Sequence, residues 1–280
     1  MPNPPAAVDP ALQSALSARL KVALRAAEEA GAILMAHLGH LEGVDNKSPI
    51  DLVTVADRDS EARILSELRS AFAGDRVLAE EQDGPAGAAA LAPLVAALPF
   101  CWVVDPLDGT TNFAHGHPQF AVSIGLLHHG EPVLGVVLAP ARREIFVGGL
   151  GVRATCNGRL IQVSEVDSMA QSLLATGFPY DRRERLPQLL DWLGRALMAA
   201  HGVRRGGSAA LDLCELAAGR LDGYYEVGLA PWDVCAGQAI VVAAGGLVSN
   251  FGGGAHDLFG RQLLASNGLV HKELRRLVGT

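Results

Sequence analysis

Residues 105–113, Asp-Pro-Leu-Asp-Gly-Thr-Thr-Asn-Phe, hold two carboxylates three positions apart with the Leu107 carbonyl between them. Gly109 permits a tight turn, and Thr110 and Thr111 follow where a short helix begins. Hard oxygen donors beside free backbone N–H groups suit a hard divalent cation together with a phosphate. Other acids stand at segment ends: Asp57, Glu80 and Glu81, Glu226, and Asp233 after Pro231-Trp232. Taken singly, each has a plain explanation. Asp57 and Asp233 suit helix starts, where an acid complements the dipole. Glu80-Glu81 reads as a solvated edge, and Asp-x-x-Asp as a common turn.

The elements that must carry these groups follow from periodicity. Leu12, Leu16, Leu20, Ala23, Ala27, Ala30, Leu34 and Leu38 recur every three or four positions, which predicts one amphipathic helix ending near Gly39 after a disordered tail at 1–8. His37 and His40 at its end lack a third ligand at metal spacing and read as surface groups. An extended segment at 47–57 leads to a second helix, with Asp57 at its start. Residues 76–81 read as a short strand ending in the two acids. Residues 84–99 read as a polar turn, an alanine-rich helical piece and a return loop. Phe100 to Val104 is an apolar run predicted as a buried strand that stops at Asp105-Pro106. Runs at 120–127, 132–138 and 143–147 predict an antiparallel meander, and Asn157-Gly158 a hairpin leading into a strand at 160–163. Strands at 172–176, 203–205, 222–226 and 262–265 then alternate with helices at 186–199, after Ser208, after Pro231 and at the C-terminus.

Composition narrows the function. With 23 Lys and Arg against 30 Asp and Glu, the net charge of −7 offers no basic surface for nucleic acid. At 49% hydrophobic residues the chain can build a large core, yet no run reaches the length of a membrane span. The N-terminus lacks a basic region followed by an apolar one, so a cytoplasmic location is expected. Four cysteines without a C-x-x-C pair read as reduced structural thiols. Gly-Gly-Ser-Ala-Ala at 206–210 narrowly misses the nucleophile-elbow pattern, so Ser208 reads as a helix N-cap. His115 and His117 have no matched carboxylate and read as structural. The glycines at 245–246 and 252–254 are not spaced as a dinucleotide fingerprint.

The string 105–113 closely resembles the first signature of the inositol monophosphatase family, and Trp232-Asp233-Val234-Cys235-Ala236-Gly237 resembles its second. The matched positions run from 47 to 237 in the family's order, with Ala79 in place of the glycine that usually precedes Glu80. The resemblance implies one domain over 1–280, with lobes roughly 9–155 and 156–280, folded as a layered α/β (αβαβα) sandwich of the sugar-phosphatase type. It implies Mg2+-dependent, lithium-sensitive hydrolysis of a small phosphate monoester, with two to three Mg2+ ions per site. Glu80, Asp105 and the Leu107 carbonyl would hold the first ion, which lowers the pKa of the attacking water. Thr110 with Glu80 would orient that water. Asp105, Asp108 and Asp233 would hold the second ion, and Asp57 would support a looser third. The Gly109, Thr110 and Thr111 amides would bind phosphate, Asp108, the Ala209 N–H and Glu226 would read hydroxyls, and Lys47 would line the site. Such clustered carboxylates without a covalent nucleophile suit in-line attack by water. Thr111-Asn112, with Glu226, leans the substrate toward myo-inositol 1-phosphate. Fructose 1,6-bisphosphate, histidinol phosphate and 3′-phosphoadenosine nucleotides remain alternatives. Relatives are commonly homodimers. Some bacterial ones bind the transcription machinery, and Arg204-Arg205 resembles an Arg-Arg pair of those members, although such a pair also suits a structural ion-pair site.

Overall fold

The computed structural model describes residues 9–39, 44–48 and 51–279. The expected tail at 1–8 and His40 lie outside them. Helix α1 spans Pro10–His37 and starts where Asp9 accepts the Ala11 amide at 3.0 Å, with Pro10 in the first turn. Strands β1 (Val44–Ser48) and β2 (Asp51–Thr54) form an antiparallel pair, so the predicted extended segment is a hairpin with Lys47 on its first strand. Helix α2 (Val55–Ala71) opens with a capping box. The Asp57 amide reaches the Thr54 hydroxyl at 3.4 Å, and the Asp57 carboxylate accepts from the Thr54 amide at 2.8 Å.

Strand β3 (Arg76–Ala79) ends before the two acids. Glu80 and Glu81 instead begin α3 (Glu80–Ala97), where carboxylates complement the helix dipole. The polar turn expected near Gly84 survives as a kink at that glycine, with φ at 65°, inside the helix. Strand β4 (Cys101–Asp108) does not stop at Pro106. Its register against β5 (Ala121–His128) shifts between Asp105 and Asp108, and a bulge tolerates a residue that has no N–H to give. The short helix α4 (Thr110–Ala114) lies between them. The meander continues with β6 (Glu131–Ala139), β7 (Glu144–Gly149), β8 (Val152–Cys156) and β9 (Arg159–Leu160). The last strand is shorter than expected, because the Val163 amide leaves the ladder to donate to the Ala244 carbonyl at 3.1 Å. Then come β10 (Leu173–Thr176), α5 (Arg182–Ala199), β11 (Gly202–Arg204), α6 (Ala209–Ala217), β12 (Gly223–Val227) and α7 (Pro231–Ala243). Strands β13 (Leu247–Ser249) and β14 (Gln262–Ser266) and helix α8 (His271–Val278) complete the order.

Two sheets organise these elements. One runs β3-β4-β5-β6-β7-β8-β9, the other β11-β10-β12-β14-β13. Helices α1 and α2 cover one face of the first sheet, meeting Trp102, Val104, Ile124 and Val136. Helices α6 and α7 fill the space between the sheets, against Val103, Val137 and Phe146 on one side and Tyr224 and Leu263 on the other. Helices α5 and α8 cover the outer face of the second sheet through Trp192, Leu274 and Val278. The outcome is the layered αβαβα sandwich. Among the described residues no helix is long and apolar enough to cross a membrane, and all four cysteines are free thiols.

A row of glycines seats α7. Gly125 on β5, Gly135 on β6 and Gly148 on β7 stand opposite one another in the ladder. A Cβ at Gly125 would fall 2.9 Å from Cys235 Cβ, one at Gly135 2.8 Å from the Ala236 carbonyl carbon, and one at Gly148 3.0 Å from Ile240 Cα. With no side chains in the way, the helix backbone rests directly on the sheet. That closeness fixes where the first turn of α7, including Asp233, points.

Candidate active site

The site is built where β4, β3 and the starts of α2, α3, α4, α6 and α7 converge. The Thr54 hydroxyl and amide pin one Asp57 oxygen, at 2.6 and 2.8 Å, while the other accepts from the Thr110 hydroxyl at 3.2 Å. Thr110 Oγ1 also lies 3.0 Å from the Leu107 carbonyl oxygen, so one hydroxyl ties the signature loop to α2. Asp105 accepts the Leu107 amide at 2.9 Å. Asp108 accepts from the Ser208 hydroxyl at 2.6 Å and the Ala210 amide at 2.7 Å. Asp233 accepts the Ala230 amide at 2.6 Å. In Asp105, Asp108 and Asp233 these bonds engage one oxygen, which sets the rotamer and leaves the other for a ligand, whereas both Asp57 oxygens are engaged.

Asp105, Asp108 and Asp233 share a field that opposes their bare charges. Burial pushes the Asp105 carboxyl well above the usual range, and Glu80, Asp108 and Asp233 push it further. Burial likewise raises Asp233, with Asp108 and Glu80 adding to it. Asp108 rises to about 6 through burial, held back by the Ser208 and Ala210 hydrogen bonds. Uncompensated charge buried at this density is costly, and a cation relieves both the desolvation and the mutual repulsion. Among the described residues no three acidic, histidine or cysteine side chains stand in ready-made coordination geometry. The donors are nevertheless all oxygen, which is the chemistry Mg2+ takes, so the residues present fit that ion.

A second acidic group flanks the first. Burial raises Glu226 to about 7 against the pull of the Tyr224 hydroxyl and Arg205. Asp212 is raised well above its usual range by burial, then by Glu226 and Asp108. Ala209 opens α6 beside Asp108. Lys47 and Glu80 occupy β1 and the first position of α3. Thr111 is exposed, as are His115 and His117. His37 pairs with Asp59 at 3.0 Å near the surface. Ser208 caps α6 by accepting the Leu211 amide at 3.3 Å, the role expected of it, and in addition donates to Asp108. Among the described residues neither Arg204 nor Arg205 makes a close ion pair, although the Arg205 charge pulls down the Asp108, Asp212 and Glu226 carboxyls. Arg204 is exposed and donates to the Val203 carbonyl, and Arg205 lies over the Phe178 ring with 6.0 Å to its centroid.

Three supporting groups escaped sequence reasoning. Buried Glu61 accepts the Glu81 amide at 2.8 Å and so anchors the start of α3 that carries Glu80. Buried Ser60 donates to the Pro106 carbonyl at 2.9 Å and holds the bulge. Asn112 donates to the carbonyls of Gln119, at 2.7 Å, and Gly206, at 3.0 Å, joining the signature loop to the turn before α6. Glu61 and Ser60 sit on the inner face of an otherwise apolar helix stripe, the one local sign that they serve something else.

Comparison with known proteins decides the family. The sequence pattern of the inositol monophosphatase family matches residues 15–279. The chain belongs to the inositol monophosphatase family. An inositol-1-monophosphatase from Synechocystis is 44% identical over 93% of this chain and 88% of its own length. A Nus factor SuhB from Pseudomonas aeruginosa is 39% identical over 91% of this chain and 93% of its own. The solved inositol monophosphatase from Anabaena superposes with a TM-score of 0.82 at 40% identity, covering 94% of this chain and 96% of that one. Membership makes this inositol monophosphatase family chain a phosphoric monoester hydrolase.

Proposed function

We propose that the protein hydrolyses small polyol phosphate monoesters, myo-inositol 1-phosphate foremost, with Mg2+. The observation that carries this is the crowding of buried acids: Asp105 on β4 and Asp233 on α7 are both raised in pKa by burial, by Glu80 and by Asp108, and Asp57 is joined to the signature loop through Thr110. Glu80, Asp105 and the Leu107 carbonyl, together with Asp108 and Asp233, would hold two ions, and Asp57 would support a third. Bound there, Mg2+ would offset the charge of the phosphate and of the leaving oxygen and lower the pKa of a water. Thr110, hydrogen-bonded to Asp57 and the Leu107 carbonyl, orients the water together with Glu80. The Gly109, Thr110 and Thr111 amides at the first turn of α4 meet the phosphate oxygens, since a helix start has no internal partners for them. Asp108, the Ala209 amide and Glu226 accept from and donate to substrate hydroxyls.

Phosphate release from inositol 1-phosphate, fructose 1,6-bisphosphate, histidinol phosphate and 3′-phosphoadenosine 5′-phosphate, each with and without Mg2+, tests the reading. Turnover independent of Mg2+ would overturn it. Asp105→Asn and Asp233→Asn keep an oxygen for the backbone contact but weaken a cation ligand. Each should lower kcat by about 10²-fold or more while leaving the folded spectrum intact, given how much a positioned metal contributes. Near-normal activity in either variant would remove the assignment.

A second reading is favoured by the relatives named Nus factor SuhB and by the exposed Arg204 beside Arg205. In it the chain also binds a protein of the transcription machinery. Capture from lysate that depends on Arg204 or Arg205 but not on Asp105 would support it. A homodimer is part of the same proposal. The exposed Leu186, Leu190 and Leu197 of α5 supply apolar surface for it, and sedimentation equilibrium reads it directly.

A further inference from the structure

The proposed hydroxyl reader Glu226 is held in an unusual way, and what holds it suggests how the substrate is chosen. Strands β10 and β12 are parallel neighbours, with Thr176 opposite Tyr225, so Gly177 leaves β10 alongside Glu226. The Glu226 carboxylate lies flat against the bare Cα of Gly177. A Cβ there would overlap its carboxyl carbon and both oxygens. Gly177 is not among the glycines with positive φ, so space and not backbone conformation calls for glycine. Tyr224, two positions before Glu226 and therefore on the same strand face, is fully buried and donates its hydroxyl to Glu226 Oε2 at 2.5 Å. The phenol fixes one oxygen and the glycine seats the carboxylate plane. The side chain stays partly exposed.

We propose that Gly177 and Tyr224 are positioning residues for substrate selection, fixing the Glu226 carboxylate so that it accepts hydrogen bonds from the hydroxyls of a polyol phosphate. This rests on the hydroxyl-reading role given to Glu226 above. The atoms a Cβ at 177 would displace are the far end of a flexible side chain, so Gly177→Ala moves the carboxylate and leaves the backbone in place. Tyr224→Phe removes the donor while preserving the buried ring.

The test compares kcat/KM for inositol 1-phosphate with that for 4-nitrophenyl phosphate, whose leaving group carries no aliphatic hydroxyls. In both Gly177→Ala and Tyr224→Phe the ratio of the two should fall about tenfold or more, chiefly through KM for the polyol ester, as for one lost charge-assisted hydrogen bond. Gly177 acts through Glu226, so Gly177→Ala introduced into Glu226→Ala should lower the ratio no further, an interaction that a purely structural role would not produce. Tyr224→Phe carries the test alone if the alanine variant does not fold. A ratio within twofold of wild type in the folded variants, or a full additional loss on top of Glu226→Ala, would overturn the inference. A wild-type enzyme with no preference for the polyol ester would remove the substrate reading and this inference with it.

Discussion

Replacing Gly135 by alanine probes the link between the sheet and the helix that carries Asp233. The added Cβ would sit 2.8 Å from the Ala236 carbonyl carbon and 2.9 Å from Ala236 Cα, with the carbonyl oxygen nearer still. Ordinary carbon–carbon contact needs about 3.5 Å or more, so sheet and helix must part by roughly 0.7 Å at the least. The obstacle is backbone on both sides. No rotamer can relieve it, and β6 lies inside a seven-stranded ladder that resists bending. The expected cost is about 1–3 kcal/mol of stability, as for other overpacked cores. Asp233 lies one helical turn before Ala236 and moves with it. A misplacement approaching 1 Å in a catalytic constellation costs about 10²-fold in rate. Steady-state kinetics of Gly135→Ala, alongside its melting curve and its Mg2+ affinity by calorimetry, read the three quantities together. The reasoning predicts that all three worsen. A lowered Tm with kcat and Mg2+ affinity within threefold of wild type would refute the claim that the glycine row positions Asp233.

Other expectations follow from single contacts. Ser208→Ala removes both the cap of α6 and the donor to Asp108, so it should lose about 1 kcal/mol of stability and a larger share of kcat/KM. Ser208→Thr, which keeps a hydroxyl, should restore most of both. Gly194 stands exposed within α5 with nothing near its missing Cβ, so Gly194→Ala should raise stability by about 0.5–1 kcal/mol in a denaturant titration. Burial lowers the His256 pKa from 6.5 to about 4, its ring hydrogen-bonded to Gln238 at 2.7 Å. The unfolded chain therefore binds the extra proton between those values. The contribution is intact above about pH 6.5 and is lost as pH falls toward 4. Discounted for partial exposure it is worth roughly 1–2 kcal/mol, and denaturant titrations of wild type and His256→Gln at pH 5 and pH 7 should differ by that amount.

The sequence by itself determined the family, with its phosphoric monoester hydrolase class, and most of the elements. Two acids flanking a carbonyl, a glycine turn and two threonines pointed to a hard cation with a phosphate, the ligand set proposed above. Apolar periods of three to four located α1 and α2, and alternating apolar runs located the meander of β5 to β7. Asp57 and Ser208 were legible as helix-start residues because capping is a local interaction between positions three apart. What a local signal could not supply was convergence. The second partner of each cap, Thr110 for Asp57 and Asp108 for Ser208, lies 53 and 100 residues away. The strand continued through Pro106 because a bulge removed the need for its missing N–H, and the bulge is defined only by pairing with β5. Gly125, Gly135 and Gly148 look like isolated weak points in three strands. They become a single seat for α7 once strand register sets them side by side. Propensity and period act between near neighbours, whereas register and the crowding of carboxylates act between distant ones, so only the tertiary structure decided which residues hold the site in place.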